Sequence, residues 1–482
     1  MLYTQKMELF GRRVIYTDVP EINSENIVSV LRTAISIHEQ NRTEIDYLYR
    51  YYKGEQPILS RIKEVRSEIN NKVVENRANE IVSFKVGYLM GEPVQYVSLT
   101  EETETTQQIL TLNGYMRSEC KRSSDKALAE WFHICGTAYR MAVPDTAAAE
   151  EDEAPFEMFV LDPRDVFVVR SSGLGNRVLM AVKISKDALG VTVYSCWTRN
   201  QYFEIANEKI LNTRSHYLGI PIVEYPANNA RLGAFEIVLP LLDAINTTES
   251  NRIDGVEQFI QALMLFHNVD ISTEDFNSLK SLGAIKFKDI DPQLKAEIDY
   301  LTSEMNQAQT QVLVDHMYNT VREIVGMPST SAGNTSDSSN NGAVILKNGW
   351  QSAEARAKDS EEAFEQPERD FLKIVLRICK DLRGLSLKNS DLEIRFTRRN
   401  YENITEKANV LVMLLGCEKV HPQLAFQSCG LFSDSQLAYR MSMEYMKEQE
   451  IKKNAEINRE GKGIDRGDPP PTESGGHQGG EQ

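Results

Sequence analysis

From about residue 139 to residue 225 the apolar positions of this chain recur every two residues, while on both sides of that block they recur at helical spacing. "AYRMAV", "FEMFVL", "DVFVVR", "RVLMAVKI", "VTVYSCW" and "QYFEIA" are short runs rich in Val, Phe and Tyr. "PDTAAAEEDEAP", "DPR", "SSGLGN" and "TRN" separate them as turn material. Strands gathered in one block with helices before and after predict an α+β chain built around an antiparallel sheet. The acidic tip at Glu150, Glu151, Asp152 and Glu153 reads as a solvated hairpin loop.

Helical periodicity dominates elsewhere. In 24–55, Ile27, Val30, Leu31 and Ile35 form a stripe that Leu48 and Tyr51 resume, and Ser24 is the expected N-cap. In 70–97, Val73, Val74, Ile81, Val82, Lys85 and Leu89 fall near one side before Gly91 and Pro93 end the helix and "PVQYV" continues as a strand. A helix over 126–143 runs into the sheet block. Residues 235–266 read as one long helix on Leu242, Ile245, Val256, Phe259, Ile260 and Leu263, and 267–291 reads as strand, helix, strand. The stretch 305–326 is helical again, with Val314, Tyr318, Val321 and Val325 in one stripe. The longest helix, over 342–382, contains Pro367, which removes a backbone hydrogen bond and clashes with the carbonyl of Ala363, so a kink is expected. "DLEIRFTRRN" is a strand and 401–450 is helical. The Gly-, Pro- and charge-rich 451–482 has too few core formers to fold.

Between two of these helices lies "GMPSTSAGNTSDSSNNGAVILKNGW", residues 326–350. Polar stretches of this length inside a compact chain are uncommon and are usually functional or disordered.

Composition narrows the function. The length, 482 residues, allows roughly three domains. No run approaches the roughly 18–20 apolar residues of a membrane span, and "MLYTQKMELFGRR" lacks the features of a signal peptide. Cys120, Cys135, Cys196, Cys379, Cys417 and Cys429 form no CxxC and read as reduced thiols. The net charge of −16 argues against a protein that coats nucleic acid through phosphate contacts.

Catalytic signals are sparse. There is no phosphate-binding GxxxxGK[ST], no HExxH and no GxSxG. "GLGNRV" at 173–178 joins two strands and is a hairpin turn. Cys417, His421 and Cys429 lack a fourth ligand and the spacing of a zinc site. His133, within "WFHIC", is read as a satisfied core residue. Glu361, Glu362 and Glu365 beside Lys358 and Arg369 form a solvated charged face. No cofactor is implied. Asp289, Asp291 and Glu297 leave open a metal-dependent nucleic-acid-processing enzyme holding Mg²⁺, though a solvated surface is the better reading of them. A scaffold of another kind is also compatible with the composition.

The order of parts is more specific than any one motif. "NRANEIVSFKVGYLMGEPVQY" (76–96), the helix–insertion–helix of 235–325, the "GMPS…NNGAVILKNGW" junction and "IRFTRRNYENITEKANVLVMLLG" (394–416) together resemble the portal proteins of tailed bacteriophages, of the type found in siphophages of Gram-positive bacteria. The resemblance spans roughly 20–450. It implies a non-enzymatic head-to-tail ring of about twelve subunits at one capsid vertex, through which double-stranded DNA passes during packaging and ejection. The subunit would be assembled in the host bacterial cytoplasm and located in the virion, without contact with a membrane. Implied partners are the terminase large subunit, a head–tail connector or adaptor, and the major capsid and scaffolding proteins.

The resemblance also implies the parts of the subunit. These are a wing over 1–234, stem helices over 235–266 and 305–326, a small α/β clip over 267–304, and a tunnel loop over 327–341. A kinked tunnel helix and wing strand over 342–400, a helical crown over 401–450 and a disordered tail over 451–482 complete it. The channel-facing residues would be Ser329, Thr330, Ser331, Asn334, Thr335, Ser336, Ser338, Ser339, Asn340 and Asn341. Lys347 would either face the duplex or lie on a helix surface toward solvent or a neighbour. Lys286, Lys288, Asp289 and Asp291 would face the motor or connector, and Pro367 would mark the kink. The apolar stripes of the long helices would be buried either within one subunit or against the next.

Overall fold

In this computed structural model the described residues are 11–64, 67–99, 102–148, 150, 153–260, 263–270, 288–289, 297–301, 307–328, 350–397, 404–432 and 435–461. The chain divides into two compact units, 1–399 and 400–482. The first opens with β1 (Ile15–Thr17), α1 (Ile27–Tyr52), α2 (Arg77–Leu89), β2 (Gln95–Ser98), α3 (Thr103–Ser118) and α4 (Lys121–Cys135). The sheet block follows: β3 (Thr137–Pro144), β4 (Phe156–Leu161), β5 (Val166–Ser171), β6 (Val178–Lys186), β7 (Thr192–Trp197), β8 (Gln201–Ala206), β9 (Lys209–Ser215) and β10 (Ile222–Pro226). Then come α5 (Leu239–Ile260), β11 (Leu263–His267), β12 (Val269–Asp270), β13 (Lys288–Asp289), β14 (Glu297–Leu301), α6 (Gln307–Val325), α7 (Trp350–Arg383) and β15 (Leu392–Arg395). The second unit contains α8 (Ile404–Leu415), α9 (Pro422–Ser428) and α10 (Ser435–Gly461). The fold is mixed α+β.

The sheet block divides in two where one antiparallel sheet was expected. A six-stranded sheet has the order β1-β5-β6-β7-β8-β9, and a three-stranded sheet has the order β10-β3-β4. β1 runs parallel to β5, with Ile15 opposite Val169, and the other neighbours are antiparallel. Alternation in sequence reports that a strand exists and which face it buries, but not which strand lies beside it. The "DPR" turn carries the chain from one sheet to the other. β5 lies between two layers: Val166 and Val168 pack with Tyr139, Leu161 and Ile222, while Phe167 and Val169 pack with Ile27, Leu31 and Ala34 of α1. Burial on both faces explains the unbroken apolar run 166–169.

α7 forms the centre of another core. Phe364, Phe371, Leu372, Val375 and Cys379 pack with Leu112 and Met116 of α3, Leu128 and Phe132 of α4, and Leu392 and Ile394 of β15, which pairs with β2. α5 and α6 place Leu242, Ile245, Val314, Val321 and Val325 against Leu48 and Tyr51 of α1 and Ile81 and Val82 of α2. This half of the stripe is buried within the subunit. Ile253, Val256, Val312 and Leu313 remain exposed.

Other boundaries depart from the sequence reading. α1 starts at Ile27 because the Asn23 side chain accepts from the amides of Glu25 (3.0 Å) and Asn26 (3.3 Å), so Ser24 is not the cap. α2 starts only at Arg77: the amides of Val73 and Glu75 donate to Ser250 and Asn246 of α5, which keeps 72–76 out of the helix. The helix expected to continue to 266 stops at Ile260. Leu263–His267 is a strand paired with Glu297–Leu301, since a short apolar run suits either state and the partner strand decides. β12 pairs with β13, and 271–287 lies outside the described residues.

Candidate functional site

The polar stretch leaves α6 through a closed turn. Gly326 has φ of +71°, its amide donates to Glu323, and the amide of Met327 donates back to Arg322 at 2.8 Å, which satisfies the last carbonyls of the helix. A Cβ at Gly326 would lie 2.6 Å from Cγ of Arg356 on α7, so both conformation and space require glycine here. Lys85 of α2 donates from Nζ to the Val325 carbonyl at 2.9 Å, a cation at the negative end of α6. Burial, reinforced by the nearby Arg356 charge, pushes the Lys85 amine down to about 8.

The stretch returns to the same helix. Trp350, the first residue of α7, packs on Phe84 and Tyr88 of α2 with ring centroids 6.3 and 5.8 Å apart. Tyr88 donates to Glu354 at 2.8 Å. Phe84, Lys85 and Tyr88 are spaced to share one face of α2, and together they hold the end of α6 and the start of α7. Ser352 lies close to Gly326. The two described ends of the polar stretch, at 326–328 and at Trp350, are therefore both fixed to one face of α2. His133 borders this root and is buried as expected, but its Nε2 has no hydrogen-bond partner among the described residues. Burial and the Lys85 charge push it down to about 3, so it is neutral.

Further along α7 a buried charge cluster fixes the helix. Glu368 accepts from Tyr96 (2.6 Å), Tyr225 (2.7 Å) and Arg140 (3.1 Å), and lies 2.9 Å from Lys121 Nζ. Asp125 completes the set by pairing with Lys121 at 2.6 Å and with Arg140, so two cations face two carboxylates. All four charged side chains are buried. Burial alone would raise the Glu368 carboxyl, but Lys121 and Arg140 outweigh it and hold the group well below the usual carboxylate range. Pro367 is the preceding residue, also buried, and α7 runs unbroken through it.

Sequence-predicted positions divide sharply. Ser329, Thr330, Ser331, Asn334, Thr335, Ser336, Ser338, Ser339, Asn340, Asn341 and Lys347 lie outside the described residues, as do Lys286 and Asp291. Lys288 and Asp289 form β13, with Lys288 opposite Asp270 and Asp289 opposite Val269. Glu297 belongs to the separate β11–β14 pair, opposite His267. Among the described residues no three His, Cys, Asp or Glu side chains converge on a metal position. Cys429 is buried and donates to Phe426, Cys417 is exposed, and His421 caps α9 by accepting from the Gln423 amide. Sequence reasoning missed Lys85 and Tyr88 as loop anchors and Glu368 as a buried carboxylate. The helical spacing of 81, 82, 85 and 89 was the one signal for the first.

No helix among the described residues is long and apolar enough to cross a membrane. Comparison with curated proteins finds no match. Among solved structures, the chain is similar to one in the "Neck of empty GTA particle computed with C6 symmetry", with 11% identity, 73% of this chain and 90% of that chain covered, and a TM-score of 0.41. The model of the family described as "Phage portal protein, SPP1 Gp6-like" matches residues 31–462. The chain belongs to that family, the SPP1 Gp6-like phage portal proteins, which are structural components of the virion.

Proposed function

We propose that this chain is one subunit of a closed ring of about twelve copies at a capsid vertex, and that the polar stretch beginning at Ser329 lines a passage for double-stranded DNA. In this reading α5 and α6 are the stem, β11–β14 belong to a clip that meets the packaging motor and later the connector, α7 is the tunnel helix kinked at Pro367, and α8–α10 belong to the crown. The observation that carries it is the fixed root: within a portal-family chain, a long stretch of Ser, Thr, Asn and Gly springs from and returns to one face of α2. Exposed Ile253, Val256, Val312 and Leu313 on the stem helices support burial against a neighbouring copy.

The physics of passage favours such a lining. Each phosphate neutralised by Lys or Arg releases a counterion and adds affinity, and contacts multiplied round a ring would hold the duplex still. Small hydroxyl and amide side chains offer weak, sequence-blind contacts to phosphate oxygens, and glycine lets the backbone follow the moving surface. An acidic wall repels only within about 8 Å at physiological salt. ATP hydrolysis would then belong to the terminase partner. Replacing 329–341 by a short Gly-Ser linker should leave ring assembly intact by native mass spectrometry and impair DNA packaging or retention in particles. Packaging and retention at the level of the unaltered chain would remove the role given to the loop, and a strict monomer of the unaltered chain under several salt conditions would remove the ring.

A further inference from the structure

The outer edge of β10 borders a groove whose lining includes neither the 326–328 turn nor any residue of α5 or α6. Its cavity is about 330 Å³, the size of a ligand cleft. Ile222, Val223 and Glu224 all line it. Successive side chains of a strand point to opposite faces, so three in a row border one cavity only when the cavity lies against the strand's edge. β10 is the outer strand of its sheet: β3 pairs with one edge, and no strand among the described residues pairs with the other. Leu218 beside β10 and Ile374 from α7 give the groove an apolar floor.

Its charges are unbalanced. Glu224 is shared between Arg170 at 2.7 Å and Arg231 at 2.8 Å, and Lys373 pairs with Asp370 at 2.7 Å. Among the described residues Arg377 donates only to backbone carbonyls, those of Tyr217 (3.1 Å) and Leu218 (2.9 Å). Arg199 is exposed, with no hydrogen bond or ion pair to any described residue. Two guanidinium charges without a counter-charge therefore stand at the rim of an edge-strand groove, on a chain whose net charge is −16.

We propose that this groove takes an extended, acidic peptide segment of a partner protein, which adds a strand to the free edge of β10 and sets its carboxylates against Arg199 and Arg377. Main-chain hydrogen bonds supply affinity and the two arginines supply the preference for acid. The site depends neither on the ring nor on the polar loop, so it stands or falls separately from the functional reading above.

The test uses the full chain and a fluorescein-labelled Gly-Val-Glu-Val-Glu-Val-Gly peptide, read by fluorescence anisotropy. Saturable binding is expected, with at least a tenfold loss for the Lys-for-Glu peptide and for the same peptide N-methylated at alternate residues. Arg199→Glu should weaken binding at least tenfold at an unchanged melting temperature, and Arg199→Lys should restore most of it. Absence of binding up to about 1 mM peptide, far weaker than ordinary recognition, would overturn the proposal. So would binding indifferent to Arg199→Glu or to N-methylation. If Arg199→Glu instead weakened self-association and assembly closed the groove to peptide, its occupant would be a second copy and the proposal would fall.

Discussion

Glu368 is buried with Tyr96, Tyr225, Lys121 and Arg140 around its carboxylate. Glu368→Gln keeps the shape but leaves the two cations with Asp125 alone. Removing one member of a buried ionic set costs about 3–5 kcal/mol, so the variant should lose that much in equilibrium denaturation. The pH dependence has a definite sign. The folded carboxyl titrates below its unfolded value of about 4.3, so its contribution is fully present above that value and is lost as pH falls through the folded one. The acid limb of wild-type stability should be steeper than that of Glu368→Gln, and identical limbs would show that the cluster carries no net linkage. None of this was legible in the sequence. Tyr96 and Arg140 lie 272 and 228 residues from Glu368, and a lone glutamate after a proline on an acidic helix reads as solvent-facing. Lys85 was closer to legible, because its place on an apolar helical face already asked what its amine would find.

Elements with strong periodicity were read well, and those whose identity depends on a distant partner were not. α1, α6, α7 and the strands β3–β8 sit where the spacing of their apolar residues places them. α3 was missed although Ile109, Leu112, Tyr115 and Met116 recur at helical steps; Thr103, Thr105, Thr106 and Thr111 lower its intrinsic propensity and masked the signal. β1 is three residues long and has no pattern of its own. The root of the polar stretch was half visible: Gly326 and Pro328 marked a helix end, but its attachment to α2 is a tertiary fact. At this scale Gly326→Ala is informative. With φ of +71° and Arg356 against the new methyl group, it should cost more than about 1 kcal/mol. Faster hydrogen exchange at the Met327 amide should accompany the loss, and unchanged protection there would mean that the turn does not hold the loop root.

At the scale of the molecule, net charge separates a conduit from a binder. A chain of charge −16 with the uncharged lining proposed above should hold duplex DNA weakly. With the assembled protein and a 30-base-pair duplex at about 0.15 M salt, no saturable binding tighter than roughly 10⁻⁶ M is expected. Tight binding that falls steeply with added salt would contradict the proposed lining. The mixed architecture was readable from the switch in period, whereas the division into two sheets was not, because β1 and β10 join strands far from them in the chain. The pairing of β1 with β5 has a consequence for synthesis. Ile15 emerges from the ribosome about 150 residues before its partner Val169, an interval on the order of ten seconds or more at ordinary elongation rates. Throughout that time the nascent amino-terminal strand has no sheet to join, and a chaperone or a pause in translation would find it still open.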